Sequence, residues 1–206
     1  PPLPVSTDSL IVEHIAGLVA EKVGAIAMPV ISYGVSYEHA PMFHASARSS
    51  ALSAAVCDIC ASLAQYGFTH IVVLNGHHGN MGALQYVAQD LLLLPQAKVH
   101  DGVKVHTLHY WHALKEREFD HAGEVETSLV LAIAPQLARM ERARPNSKPL
   151  NKKSKAAYSA LTNLPGSFAR ITGNGVWGDP RKASAEKGKE LLAEITDGLA
   201  RTISEL

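Results

Sequence analysis

The chain predicts an α/β domain with a mostly parallel central sheet flanked by helices, and three observations carry that reading. Helix-like and strand-like patterns alternate along it, the order that a parallel sheet with crossover helices requires. The run Thr69-His70-Ile71-Val72-Val73-Leu74 is rich in β-branched and aliphatic residues, as a strand buried on both faces must be. It stops abruptly at Asn75-Gly76-His77-His78-Gly79-Asn80, and in open α/β sheets ligands bind beyond the carboxyl ends of the strands.

The elements follow in order. Thr7 and Asp8 are positioned to cap a helix running from about Ser9 to Val23. Ala25 to Ile31 reads as a buried strand, and Gly34 to Ser46, with Gly, Pro and two His, as a loop. Ser49 to Tyr66 is Ala-rich with helical spacing, and Gly67 closes it. After the strand at 69–74 comes a helix from about Met81 to Leu94. Val103 to His109 alternates like a second strand. Glu124 to Ile133 is a helix that stops before Pro135. Arg139 to Lys155 is a polar loop with seven Lys or Arg and one Glu. A Gly-rich loop, Gly173–Pro180, precedes an amphipathic helix at Ala183–Ile203. No repeat or low-complexity linker divides the 206 residues, so a single domain over 1–206 is expected.

Composition narrows the function class. Formal net charge is zero, so nothing attracts the chain to nucleic acid or to an anionic membrane. The basic loop at 139–155 reads as a solvated loop or a subunit contact. No apolar run reaches the roughly 18 residues that span a bilayer, and no signal peptide is expected. Cys57 and Cys60 are the only cysteines, too few for a disulfide framework. Their CxxC spacing falls on a helical stretch without a second pair, which reads as a packed helix face. A cytoplasmic protein is expected. Eleven histidines point instead to metal binding or proton transfer, the two tasks imidazole performs near neutral pH.

Beside the His-rich turn, a second segment carries chemistry: Asp120-His121-Ala122-Gly123-Glu124-Val125-Glu126-Thr127-Ser128. A carboxylate and an imidazole precede a tight turn, and Glu124 opens a helix, where its charge also suits the helix dipole. Glu124 and Glu126 equally well read as ordinary first-turn acids. A third segment, Leu3-Pro4-Val5-Ser6-Thr7-Asp8, reads alone as a helix cap.

Together these segments resemble the creatininase family of metal-dependent amidohydrolases. Its pattern runs roughly E-x-H-G-x-H-L-P-x-x-T-D, then N-G-H-x-x-N, then H-A-G-E-x-E-T-S, then G-V-x-G-D-P. Leu3–Asp8 matches the end of the first element, Asn75–Asn80 the second and His121–Ser128 the third. Gly175-Val176-Trp177-Gly178-Asp179-Pro180 matches the fourth. The resemblance covers almost the whole chain and implies a creatininase-like fold. It also implies an oligomer, with a hexamer among the forms expected. Two divalent metal ions are implied, zinc first, with manganese or iron as the other candidates. Carboxylates and imidazoles suit all three.

On this resemblance the metal ligands are Asp8, which matches the bridging carboxylate, His77 and Glu124. Creatininase itself carries a metal-binding Glu two residues after the His that His77 matches; here that position is Gly79. Other branches of the family use the carboxylate that Glu124 matches. The chain therefore resembles the family but not creatininase in particular. The implied reaction is cleavage of a non-peptide or cyclic C–N amide bond of a small molecule by metal-activated hydroxide. His121 matches the proton-transfer histidine, with Asp120 expected to orient its ring. Asn75 and Asn80 read as turn-formers or as donors behind the ligands. His39, His44, His78 and Trp177 are candidate substrate-binding residues. Trp177 reads equally as core or subunit-contact packing, and His106, His109 and His112 read as a partly exposed strand end and loop. The family's first Glu and His would fall before Pro1, and its second His falls at Pro2. The chain is therefore expected to be a piece of a longer polypeptide, missing its N-terminal strand. The competing expectation is a catalytically inactive family member acting in binding or assembly.

Overall fold

The computed structural model describes residues 2–93, 102–115, 120–150 and 164–206. The chain divides into two compact units: Pro1–Ser32, Tyr37–His44 and Tyr110–Leu206 form the first, and Tyr33–Ser36 and Ala45–His109 the second.

The second unit holds the sheet. Strand β1 (His70–Asn75) pairs in parallel with β2 (Lys104–His109), in register from His70 opposite Lys104 to Asn75 opposite His109. Two parallel strands need a crossover long enough to bring the chain back in the same direction. Here it contains the short helices Met81–Leu84 and Val87–Leu92. The single helix expected over 81–94 is thus interrupted around Tyr86, whose φ of −110° leaves the helical range; residue 94 lies outside the described residues. The long helix Ser49–Gln65 packs against both short helices, and Val87–Leu92 in turn packs on β2. This gives the α/β arrangement, with a parallel pair against helices. The Ser49–Gln65 helix buries Leu52, Val56, Cys57, Cys60, Ala61 and Ala64, one stripe at helical spacing. Both thiols therefore sit on a packed face, and burial pushes that of Cys60 up to about 11.

The first unit is built on three helices, α1 (Thr7–Val23), α5 (Glu124–Ile133) and α7 (Ala185–Ser204), counting the helices of the second unit as α2 to α4 and Ser167–Thr172 as α6. α5, α7 and α1 pack pairwise on one another. Ile11, Ile15, Leu129, Val130, Ile195 and Leu199 are buried on them. Close approach of α5 to α7 depends on Gly188: a Cβ there would run into the carbonyl oxygen of Ser128 and lie 2.6 Å from its carbonyl carbon. Ser128 also ties the two helices by hydrogen bonds. Its Oγ donates to Glu124 O at 2.7 Å and accepts from the Ser184 N–H at 3.2 Å. Ser184 in turn caps α7 by accepting from the Lys187 N–H at 3.1 Å.

Two sequence expectations need correction. α1 begins at Thr7 with Ser6 at the cap position, and neither Thr7 nor Asp8 caps it: the Thr7 hydroxyl donates backwards to Pro4 O at 2.6 Å, and Asp8 lies in the first turn. Ala25–Ile31 is not a buried strand. It has no ladder among the described residues, and Ile26, Met28 and Ile31 are 69%, 52% and 46% exposed. An apolar run says that a segment favours burial, not that a neighbour is there to bury it. No helix among the described residues is long and apolar enough to cross a membrane. The basic loop expected over 139–155 is described only to residue 150, with a 3-10 turn at Met140–Arg142; 151–155 lie outside the described residues.

The helix crossing predicts opposite outcomes at two glycines. Gly188→Ala forces the α5–α7 backbones apart and is expected to cost about 1–3 kcal/mol. Gly17→Ala, inside α1 with nothing within 4 Å of its Cβ position, is expected to gain about 0.5–1 kcal/mol from helix propensity. Urea midpoints of the two variants moving in the same direction would contradict the assignment.

Candidate functional site

In the first unit the third and fourth motifs are joined. His121 N–H donates to Trp177 O at 3.1 Å and Trp177 N–H to His121 O at 2.8 Å, an isolated antiparallel bridge. The His-Ala-Gly-Glu sequence follows from this close approach. Ala122 adopts a φ of +49°, which small residues tolerate best. A Cβ on Gly123 would collide with the Asp120 carboxylate and lie 2.6 Å from Trp177 O. Glu124 can then begin α5 directly.

The imidazole of His121 is held on three sides. Its Nδ1 lies 2.9 Å from Gly175 O, its Nε2 lies 3.0 Å from His39 Nε2, and the edge of its ring meets Phe168 at a centroid distance of 4.6 Å. Since a carbonyl only accepts, Nδ1 carries the hydrogen. On the far side of His39, Nδ1 lies 3.2 Å from Glu38 Oε1, and Glu38 is only 4% exposed. Trp177 is buried and stacked with Phe168 at 6.4 Å. His44 is half-buried, with Nδ1 donating to Met42 O at 2.8 Å.

The Asp120 carboxylate serves the helix. Oδ1 accepts from the Glu126 N–H at 3.1 Å, and Glu126 reaches back so that its Oε2 accepts from the Ala122 N–H at 2.6 Å. This is a reciprocal cap of the kind that satisfies the free N–H groups of a helix start. The hydrogen bonds described for Asp120 are to α5 and those for the His121 ring are to Gly175 and His39, an arrangement different from a ring-orienting Asp120. Burial pushes the Asp120 carboxyl up to about 6, against the lowering effect of backbone hydrogen bonds from Glu126, Val125, Gly123 and Glu124.

Carboxylates that fit a cation gather in this unit. The phenol of Tyr110 is raised well above its ordinary value by burial and then by the charges of Glu126, Asp8 and Asp120, which places Asp8 in one acidic neighbourhood with the motif at 120–126. Glu124 faces the Lys187 ammonium at 2.5 Å, so a positive charge already suits its position. Hard oxygen donors are a fitting donor type for zinc or manganese.

In the second unit the His-rich turn is shaped by its asparagines. Asn75 Oδ1 accepts from the His77 N–H at 3.1 Å, the local bond typical of Asn in turns, and Asn75 Nδ2 meets His109 Nδ1 at 3.0 Å. Asn80 Oδ1 accepts from the Val35 N–H at 2.8 Å. The His77 Nε2 lies 2.8 Å from Val35 O and 3.3 Å from Ser36 Oγ. His78 opens the 3-10 turn His78–Asn80, and Gly79 is buried.

Sequence reasoning missed Glu38 and Lys187. Glu38 had one available sign: it is the only Asp, Glu, Lys or Arg in the loop 34–46. Lys187 had none, because a lysine on an amphipathic helix reads as solvated surface.

Asp120 predicts a pH dependence. With a folded pKa of about 6 against an ordinary 3.8, the native state keeps a proton that the unfolded state has lost between those values. Stability therefore falls as pH rises from about 4 to 6, by up to ~3 kcal/mol from this group. Denaturation midpoints of Asp120→Asn should lack that slope; a slope equal to the parent's would place the titration elsewhere.

A family model described as Creatinine amidohydrolase matches residues 1–203. Creatinine amidohydrolase of Pseudomonas putida is 28% identical, over 98% of this chain and 82% of its own length. The mycofactocin precursor peptide peptidase of Mycolicibacterium smegmatis is 31% identical, over 98% of this chain and 78% of its own. Creatininase structures of a Zn-Zn type (a glutamate-to-glutamine mutant) and of a Mn form superpose with TM-scores of 0.81 at 27% and 26% identity, covering 98% of this chain and 84% of theirs. The joined motifs, the α/β arrangement and these likenesses lead to one conclusion: the chain belongs to the creatininase family of amidohydrolases, hydrolases of C–N bonds, as a member distinct from creatininase itself.

Proposed function

We propose that this protein is a divalent-metal-dependent amidohydrolase that cleaves a C–N amide bond in a small molecule other than creatinine. The observation that carries the reading is the part-buried, two-sided hold on the His121 ring in the segment that matches the family's proton-transfer motif. With Nδ1 committed to Gly175 O, Nε2 is the nitrogen that exchanges a proton with a reacting group, and it delivers that proton to the leaving nitrogen. Asp8, His77 and Glu124 hold two ions in this reading, zinc first, with manganese or iron as alternatives. When bound, such ions activate a water molecule and polarise the amide carbonyl. The Asp120–Glu126 cap fixes the start of α5 and with it the direction of Glu124.

Gly79 supports a substrate other than creatinine, since a glycine offers no carboxylate where creatininase carries one. Cyclic amides and formamides fit the reading. So does a short peptide, which gains support from the peptide peptidases among the relatives. His39, His44, His78 and Trp177 remain the residues proposed nearest the substrate. We take the other partners to be copies of the same chain, in a hexamer, with neither nucleic acid nor membrane involved. Two buried free thiols fit a reducing compartment, and we place the enzyme in the cytoplasm.

One observation favours a second reading, an inactive subunit used in binding or assembly. The Lys187 ammonium already neutralises the carboxylate of Glu124, as a substitute cation would. Metal analysis separates the two. Close to two equivalents of metal per subunit are expected, and none at all would sink the hydrolase. His77→Ala and Glu124→Ala should lose metal and turnover together. His121→Ala should keep its metal while turnover of a cyclic amide, formamide or short-peptide substrate falls by about 10²–10⁴; unchanged turnover would remove His121 from the mechanism.

A further inference from the structure

We propose that Asn75 is a positioning residue for His109, fixing its ring with the hydrogen on Nε2, and that His109 donates from there to an acceptor oxygen of the amide substrate. The substrate contact rests on the hydrolase reading; the state of the ring does not. Two main-chain N–H groups of the second unit set the direction, since a main-chain N–H can only donate. Val35 N–H lies 2.8 Å from Asn80 Oδ1, which turns Asn80 Nδ2 to Asn75 Oδ1 at 3.4 Å. His77 N–H donates to the same Asn75 oxygen at 3.1 Å. Asn75 therefore has its Nδ2 left for His109, whose Nδ1 lies 3.0 Å away. An amide N–H₂ only donates, so His109 Nδ1 accepts, and a neutral ring carries its hydrogen on Nε2.

Every alternative sets donor against donor. Turning either amide over would put an N–H₂ against a main-chain N–H, and a hydrogen on His109 Nδ1 would face Asn75 Nδ2. Asn75 is 3% exposed, so each lost partner is costly there. Gly34 makes room for the relay, because a Cβ at that position would run into the Asn80 amide. His109 is half-buried and closes β2 directly opposite Asn75, which closes β1. Both thus stand at the carboxyl ends of neighbouring parallel strands, where α/β sheets bind their ligands. An amide oxygen only accepts and suits a fixed N–H; an amide N–H does not.

The test uses the full chain with ¹⁵N-labelled histidine, in the presence of zinc, at about pH 8, where an ordinary imidazole is neutral. In the parent protein, His109 should show a pyridine-type Nδ1 and a pyrrole-type Nε2. Asn75→Asp keeps an oxygen for His77 and Asn80 and puts a second oxygen in place of Nδ2, so His109 Nδ1 should gain a hydrogen and turn pyrrole-type. In turnover of a cyclic amide, formamide or short peptide, kcat/KM should fall about 10–100-fold in His109→Leu. His109→Gln, whose oxygen can accept from Asn75 while its N–H₂ donates onward, should recover to within a few-fold. A hydrogen on Nδ1 in the parent, or an unchanged His109 spectrum in a folded Asn75→Asp, overturns the positioning role. Unchanged kcat/KM in His109→Leu overturns the substrate contact, and so does an equal loss in the Leu and Gln variants. If the parent turns over none of these amides, the hydrolase reading fails and the substrate contact with it, while the ring spectra still decide the positioning role.

Discussion

The structure of the site depends on one carboxylate placed beneath the first turn of a helix. Asp120 takes up N–H groups at the start of α5, and Glu126 returns the bond to Ala122. Everything nearby is shaped by that arrangement. It leaves no room for a side chain at Gly123, bends Ala122 into a positive φ, and seats His121 against Trp177. It also points Glu124 towards α7, where Lys187 meets it. Helix N–H groups and the helix dipole favour a negative charge in this place. Desolvation nevertheless wins, since the carboxyl stands at about 6 rather than below its ordinary value. The site therefore accepts an energetic penalty, on the order of 3 kcal/mol at neutral pH, to hold its backbone in one shape.

The scaffold behind it is specified by contact distance. α5 reaches α7 only because Gly188 has no side chain, and Ser128 spans the gap with a hydroxyl that serves both helices. That crossing sets where Lys187 stands relative to Glu124. A packing residue, a capping serine and a candidate ligand thus belong to one mechanical unit, and a change in the first is felt at the last.

The parts of this architecture that were legible in the sequence are local ones. α1, α5 and α7 follow their apolar spacing, and both β1 and β2 fall where the apolar runs put them. The His-rich turn is recognisable because Asn75 bonds two residues ahead, a contact written in adjacent positions. What escaped is long-range or lacks a pattern. His39 and His121 are 82 residues apart in the chain, and no periodicity links a loop residue to its partner. Asp120 looked like a companion for the neighbouring imidazole, yet its described bonds run forward to α5. Ala25–Ile31 was misread because hydrophobicity reports a preference for burial, while the ladder that would satisfy it must come from elsewhere.

That last segment has a practical consequence. Ile26, Met28 and Ile31 lie exposed on an extended stretch whose backbone has no ladder among the described residues. Exposed apolar side chains on a segment without a ladder among the described residues form a template on which a further extended chain can pair. Self-association through residues 25–31 is therefore the expected behaviour of concentrated preparations, and a charged or proline substitution there is the natural gatekeeper for handling the protein in solution.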